Sequence, residues 1–372
     1  MRGVDTPQGD RAEDSLCQQV TQQLAGFSHP TLQRSLADLR AVKHCLWQQN
    51  TLQITLQLPF VWQQGLLALQ QAEQGSLCRA LGADRITWQL QPAVATLLPA
   101  NGQPVIPGIR NILAISSAKG GVGKSSIAVN LALALAAEGG RVGLLDADIY
   151  GPSIPLMLGS VGQRPVSTNG RQMLPIQAHG LAINSIGYLL DDHEATLWRG
   201  PMASRALEQL LRETLWPDLD YLLIDMPPGT GDLPLTLAQR IPVTAAISVT
   251  TPQQVAVSDT LRGIQLFEKL SIPVLGVIEN MSGHCCPHCG YLDPIFGSGG
   301  GERLAEHYHL PLLGQIPLQR SLQADLDQGY PTVISQPDSE LTTLFRRLAV
   351  QVATLLYWRG QPIATVMTVR NL

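Results

Sequence analysis

Apolar and polar residues alternate from Leu52 to Leu58: Leu52, Ile54, Leu56 and Leu58 are separated by Gln53, Thr55 and Gln57. A period of two predicts a half-buried strand. Ala41–Trp47 reads as its hairpin partner across the turn Gln48-Gln49-Asn50. A helix is expected over roughly Trp62–Leu81. A third strand is expected over Arg85–Leu90, with Ile86, Trp88 and Leu90 on one face. Residues 15–98 thus form a small α+β domain, preceded by a disordered stretch over 1–14. Pro and Gly crowd residues 99–110, which read as a linker.

Beyond the linker the pattern changes to short, wholly apolar runs that alternate with longer helical ones. Strands are expected at Ile112–Ser116, Val142–Asp146, Leu222–Asp225, Ala245–Val249 and Val274–Glu279. Helices are expected at Ser125–Glu138, Ser204–Leu215, Val255–Leu270, Glu302–His307 and Glu340–Tyr357. This alternation predicts an α/β class, doubly wound around a mostly parallel sheet, over residues 111–358 with a tail at 359–372. Ligands bind such sheets at the carboxyl ends of strands, where Asp146, Asp225 and Asn280 fall. The last helix gathers Leu341, Leu344, Phe345, Leu348, Val352, Leu355 and Leu356 on one face, which suits packing on the sheet; a membrane-surface helix is the alternative.

The chain has 372 residues, 45% hydrophobic and 15% charged, with a net charge of −4. That balance supplies large cores and argues against a general nucleic-acid binder. No signal peptide and no run long enough to span a bilayer is read, so a cytoplasmic protein with reduced thiols is expected. Of its six cysteines, Cys17, Cys45 and Cys78 are scattered and read as small buried hydrophobes, whereas Cys285, Cys286 and Cys289 are crowded.

Chemistry concentrates in three places. Ala118, Lys119, Gly120, Gly121, Val122, Gly123, Lys124, Ser125 and Ser126 link an apolar strand to an apolar helix. A glycine-rich turn ending in Lys-Ser is a phosphate-binding P-loop: its N–H groups converge, the helix start adds a positive end, Lys124 supplies charge and Ser125 a hydroxyl for Mg2+. Ala118 stands where the strict pattern has glycine. Lys119 projects away from its own loop, and a dimer partner's nucleotide is within its expected reach. Asp146 and Asp148 form the second cluster, Asp146 directed to the metal shell and Asp148 to the attacking water. The strand ending at Asp225 is a Walker B arrangement, and Pro227-Pro228-Gly229-Thr230-Gly231 after it reads as a switch.

The third place is Cys286-Pro287-His288-Cys289. Two thiolates at this spacing hold one metal or one edge of an iron–sulfur cluster. No second C-x-x-C exists in the chain, so completion by a two-fold partner is the simplest reading. A structural zinc using His284 or His288, and a redox disulfide pair, stay open.

Taken together, KGGVGKSS, DADIYGPS, DMPPGTGD, the ENMS at Glu279–Ser282, the C-x-x-C and FGSGGGERLAE at Phe296–Glu306 resemble the Mrp/ApbC family of iron–sulfur cluster carrier ATPases, over nearly the whole chain. The resemblance implies a homodimer that binds ATP and Mg2+, hydrolyses ATP slowly, holds a 4Fe-4S cluster between two chains and passes it to apoproteins. It maps the two P-loop lysines to Lys119 and Lys124, the metal-binding hydroxyl to Ser125, the cluster thiolates to Cys286 and Cys289, and an adenine contact to Asn280. The N-terminal unit looks like the small domain that bacterial members carry. The competing classes are a positioning ATPase of the MinD/ParA type, acting at a membrane or DNA, and an ATP-driven reductase like the nitrogenase iron protein.

Overall fold

The computed structural model describes residues 8–167, 170–189, 200–286 and 288–363. The chain divides into two compact units, Met1–Val94 and Ala95–Leu372.

In the first unit, β1 (Val42–Gln48) and β2 (Thr51–Leu58) form an antiparallel hairpin, and β3 (Arg85–Pro92) adds parallel to β2. The crossover is α2 (Gln63–Leu81). The alternating apolar residues of β2 are buried. Trp62, fully buried, donates its ring N–H to the Thr31 hydroxyl at 3.0 Å. Its indole lies so close over α2 that a Cβ on Gly65 would come within 1.8 Å of Trp62 Cε2, so position 65 admits only glycine.

The N-terminal expectation needs correcting. Residues 1–7 lie outside the described ones, but α1 (Gln8–Gln23) is helical through the stretch expected to be disordered. Contacts made only in the folded unit hold it. Val20 is buried, and Glu13 Oε1 is 3.0 Å from His44 Nδ1 on β1. Tertiary packing overrides a weakly apolar local sequence. Of the scattered thiols, only Cys45 is buried; Cys17 and Cys78 are partly exposed.

The second unit begins earlier than expected. Residues 99–110 are laid against it: the Asn101 side-chain amide donates to Ala238 O at 2.8 Å and Ile241 O at 2.7 Å, and Ile106 and Ile109 are buried. Pro and Gly here mark turns, with Gly102 and Gly108 at φ 70° and 85°, rather than a free tether.

Its sheet has nine strands among the described residues: β4 (Ile112–Ser116), β5 (Val142–Asp146), β6 (Ile176–Ala178), β7 (Leu181–Ser185), β8 (Tyr221–Asp225), β9 (Ala245–Thr250), β10 (Val274–Cys285), β11 (Leu292–Asp293) and β12 (Leu312–Leu318). The order is β11-β10-β9-β4-β8-β5-β7-β6, with β12 also on β10. All pairings are parallel except the edge pairs β6–β7 and β10–β11. Every residue of β4, β5, β8 and β9 is buried, as a parallel sheet covered on both faces requires.

The helices are α3 (Lys124–Ala137), α4 (Ile154–Met157), α5 (Gly200–Glu213), α6 (Asp232–Arg240), α7 (Gln254–Lys269), α8 (Gly300–His307), α9 (Arg320–Asp327), α10 (Thr332–Ser335) and α11 (Glu340–Arg359). From Ile127 to Leu135, α3 is buried all round, with α10 and α11 packed on it. Leu341, Phe345, Leu348, Val352 and Leu356 of α11 are spent on that packing. Arg346 there reaches the buried Glu138 carboxylate at 2.8 Å. Among the described residues no helix is long and apolar enough to cross a membrane. Pro362 pairs with Leu97, and 364–372 lie outside the described residues.

Candidate functional site

Strand β4 has β8 and β9 as neighbours, while the chain leaving it through α3 returns as β5 on the far side of β8. That reversal opens a crevice at the carboxyl ends of β4 and β8. The loop 117–123 sits there. Gly121 and Gly123 have φ 81° and 83°, a conformation that only glycine adopts freely. A Cβ at Gly123 would lie 2.2 Å from Asn280 Nδ2, and that same amide donates to Val122 O at 2.8 Å. Asn280 thus clamps the loop from β10. The methyl of Ala118 faces Gly263 on α7, where an added Cβ would be 3.5 Å away, so this departure from glycine does not intrude on the loop's concavity.

Lys124, at the start of α3, is buried and pairs with the fully buried Asp225, Nζ to Oδ1 2.5 Å. Ser125 Oγ donates to the other oxygen, Oδ2, at 2.6 Å. A cavity of about 170 Å³ opens on this group, lined by Gly120, Gly121, Gly123, Lys124, Ser125, Ser126, Asp148 and Pro228. A second cavity, about 250 Å³, shares Gly123, Ser126 and Met157 with it and continues past Asn280 and Met281 to Pro317, Leu318, Leu322 and Leu326. One end is polar and rich in N–H groups; the other is largely apolar.

The two carboxylates of the DADIYGPS stretch separate in role. Asp146 is fully buried, and its oxygens accept from the amides of Asp148 (3.1 Å) and Ile154 (3.2 Å) and the Ser185 hydroxyl (3.0 Å). Burial, and then the Asp225 charge, push its carboxyl up; Lys124 opposes them. Asp146 therefore anchors the loop that carries Asp148, and the carboxylate beside the Ser125 hydroxyl is that of Asp225. Asp148 is half-buried on the cavity wall; burial raises its carboxyl too, against the pull of Lys124. The switch expected after Asp225 is tied to the loop through Gly229 N to Ser117 O, 2.9 Å, with Gly229 at φ 99°. Lys119 is exposed and does not line the cavity of its own loop.

The thiols sit at the tip of a hairpin. Strand β10 runs on six residues past the expected Glu279 end, to Cys285, because β11 pairs with it there: His284 opposes Asp293 and Cys285 opposes Leu292. Gly290, at φ 73°, closes the turn and donates to Cys286 O at 2.9 Å. The N–H groups of His288 and Cys289, then the Cys289 thiol, lower the Cys286 thiol below its ordinary value. Iodoacetamide modification of Cys286 in metal-free protein is therefore expected to rise with a pH midpoint below the ~8.5 of a free thiol. A midpoint at or above that value, read by mass spectrometry, would contradict the geometry. His284 is held by Leu318 O, 3.2 Å from Nδ1. Among the described residues, no three His, Cys, Asp or Glu side chains converge to hold a metal. Tyr291, Leu292 and Ile295 beside the thiols are exposed by 65%, 59% and 53%.

The family model described as NUBPL iron-transfer P-loop NTPase, of the ParA group, matches residues 108–353. The chain belongs to that family. The iron–sulfur cluster carrier protein of Escherichia coli K12 is 58% identical over 353 residues, covering 95% of this chain and 96% of that one. The iron–sulfur cluster transfer protein NUBPL of Dictyostelium discoideum is 45% identical over 248 residues, 66% of this chain and 77% of that one. Among solved structures, a nucleotide-binding protein of Archaeoglobus fulgidus in complex with ADP superposes with a TM-score of 0.56 at 33% identity, over 64% of this chain and 93% of that one. The cell-division ATPase MinD of Pyrococcus furiosus, at 22% identity and TM-score 0.51, shares the fold.

In this NUBPL-type NTPase the sequence reading missed β12, α9 and α4, which build the apolar end of the crevice. Leu322 and Leu326, four residues apart and both buried, were the available signal for α9. It also missed Ser185, whose hydroxyl holds Asp146.

Proposed function

We propose that this chain carries an iron–sulfur cluster to apoproteins in the cytoplasm, with ATP binding and slow hydrolysis controlling when the cluster is held. One observation carries the reading: a single strand, β10, delivers Asn280 to the phosphate loop and, within six residues, Cys286 to the thiolate hairpin. The name of the 58% identical relative supports it.

ATP fits the paired cavities with its phosphates on the loop and its base toward Asn280 and Leu322. The N–H groups of the loop and the start of α3 favour the phosphate charge. Lys124 moves from Asp225 to the phosphates as they arrive, and Asp225 is then free for another cation. The Ser125 hydroxyl and Asp225 carboxylate, 2.6 Å apart, are hard oxygen ligands that suit Mg2+, which bound there would offset phosphate charge. Asp148, on the cavity wall, orients the water that attacks the terminal phosphorus and takes up its proton. Lys119, turned away from its own loop, reaches the nucleotide of a second copy. Release of the terminal phosphate then loosens the 226–231 segment.

Cys286 and Cys289 supply half of a four-thiolate set, so a homodimer completes a 4Fe-4S cargo. Protein purified without oxygen is expected to contain about four irons and about four sulfides per two chains, at the mass of a dimer. A monomer retaining all its metal, or zinc as the tightly held metal, would sink the proposal.

A further inference from the structure

Strand β10 is paired differently along its two halves. From Val274 to Glu279 it lies parallel to β9, ending at the Glu279–Thr250 pair. Glu279 is fully buried and its carboxylate is held at both oxygens: Oε2 accepts from the Gly301 amide at 2.5 Å and Oε1 from the Gln315 side-chain amide at 2.9 Å. A Cβ on Gly301 would lie 2.9 Å from Glu279 Cβ, so α8 is seated against this residue without slack. Gly301, having no side chain, lets α8 close on the strand.

Past Glu279 the strand changes partners. Along β12, Asn280 pairs with Ile316, but the next pair is His284 with Leu318, so β10 advances four residues where β12 advances two. The slip is an irregularity of the bulge type, which bends a strand and re-aims the residues beyond it. Met281 lies inside it at φ 55°, a left-handed backbone rare for a residue with a side chain. Asn280 and Met281 both line the apolar end of the crevice, and Asn280 holds the phosphate loop. Beyond the slip come His284 and Cys285, paired with β11, and the thiols.

We propose that Met281 is a positioning residue: the joint through which an occupied nucleotide crevice re-aims the thiolate hairpin. This rests on the carrier reading above. A base seated in the crevice touches Met281 directly. Glu279 cannot yield, being anchored on both oxygens, so displacement at 280–281 passes to the hairpin side. The nucleotide changes the grip on the cluster because the Met281 contact differs between the two settings of the joint, as any ligand-driven shift requires.

The test loads the full-length protein with cluster anaerobically and follows iron loss to a ferrous chelator, bathophenanthroline disulfonate, with saturating MgATP and without nucleotide. The wild-type rates should differ by at least about fivefold. Met281→Gly removes the contact and lets the joint adopt either hand, so its two rates should converge while its iron content stays full. Met281→Leu keeps an apolar contact and should keep the difference. Met281→Gly retaining the wild-type ratio overturns the joint and leaves the carrier reading intact. A wild-type ratio of one overturns nucleotide control itself, and the joint with it. Hydrogen exchange in the unmutated protein is the independent reading: MgATP should alter protection at 282–292 while 274–279 stay unchanged, and equal response of both segments overturns the proposal.

Discussion

Lys124→Ala is expected to lower the stability of the nucleotide-free protein by about 3–5 kcal/mol as well as to stop ATP turnover. Lys124 Nζ and Asp225 Oδ1 are 2.5 Å apart, and both side chains are buried. Removing the ammonium leaves the Asp225 carboxylate without its cation, beside a second buried carboxylate, Asp146. In water an exposed pair contributes little, but here the surviving partner is a buried charge that has lost its counter-ion. Hydrolysis should fall by at least about 100-fold, because in the proposed complex the same ammonium is the charge that meets the phosphates. The double variant Lys124→Met with Asp225→Asn separates the two losses: it should regain most of the stability and none of the turnover. Urea unfolding at neutral pH and phosphate release measure them. An alanine variant as stable as the wild type would mean that Asp225 does not depend on Lys124.

Cys286→Ala and Cys289→Ala are each expected to abolish the visible absorbance of anaerobically reconstituted protein, not to halve it. In the proposed two-fold centre each substitution would remove two of four thiolates at once, and a cluster with two ligands left would have open iron sites exposed to solvent. Cys285→Ala should keep the colour. Cys285 points its thiol at Gly290 O, 3.7 Å away, and stands opposite Leu292 in the hairpin ladder, outside the turn that gathers the other two. Full absorbance in both the 286 and 289 variants would place the cluster elsewhere in the chain. Iron analysis on the same samples distinguishes a lost cluster from a bleached one.

The parts of this molecule that were legible beforehand are those whose environment is uniform along the element. Strands β4, β5, β8 and β9 are buried at every residue and read as unbroken apolar runs; β2 buries Leu52, Ile54, Leu56 and Leu58 and reads as period two. The phosphate loop was legible because its backbone demands glycine at 121 and 123. Features set by partners distant in sequence were not legible. The helix over residues 8–23 is held by β1, which comes after it in the chain, and α4 and α10 span four residues each, too short for a period to emerge. The thiols' spacing was plain, but the extension of β10 to Cys285 depends on β11, a strand of two residues. The sequence placed Asp146 at a strand end beside the phosphate loop, but not its partners, the amides at 148 and 154 and the serine at 185, which lie outside its strand.

Helix α3, enclosed on every side from Ile127 to Leu135, constrains how a nucleotide can be felt at all. A rod sealed between a sheet and two other helices cannot pivot without prying apart close-packed layers, and protein interiors yield very little to such leverage. A triphosphate bound as proposed would thus meet an anvil rather than a lever. In the proposed cycle, what moves when ATP arrives or breaks belongs to the lightly anchored rim around that anvil, and the helix behind the phosphates stays a fixed reference.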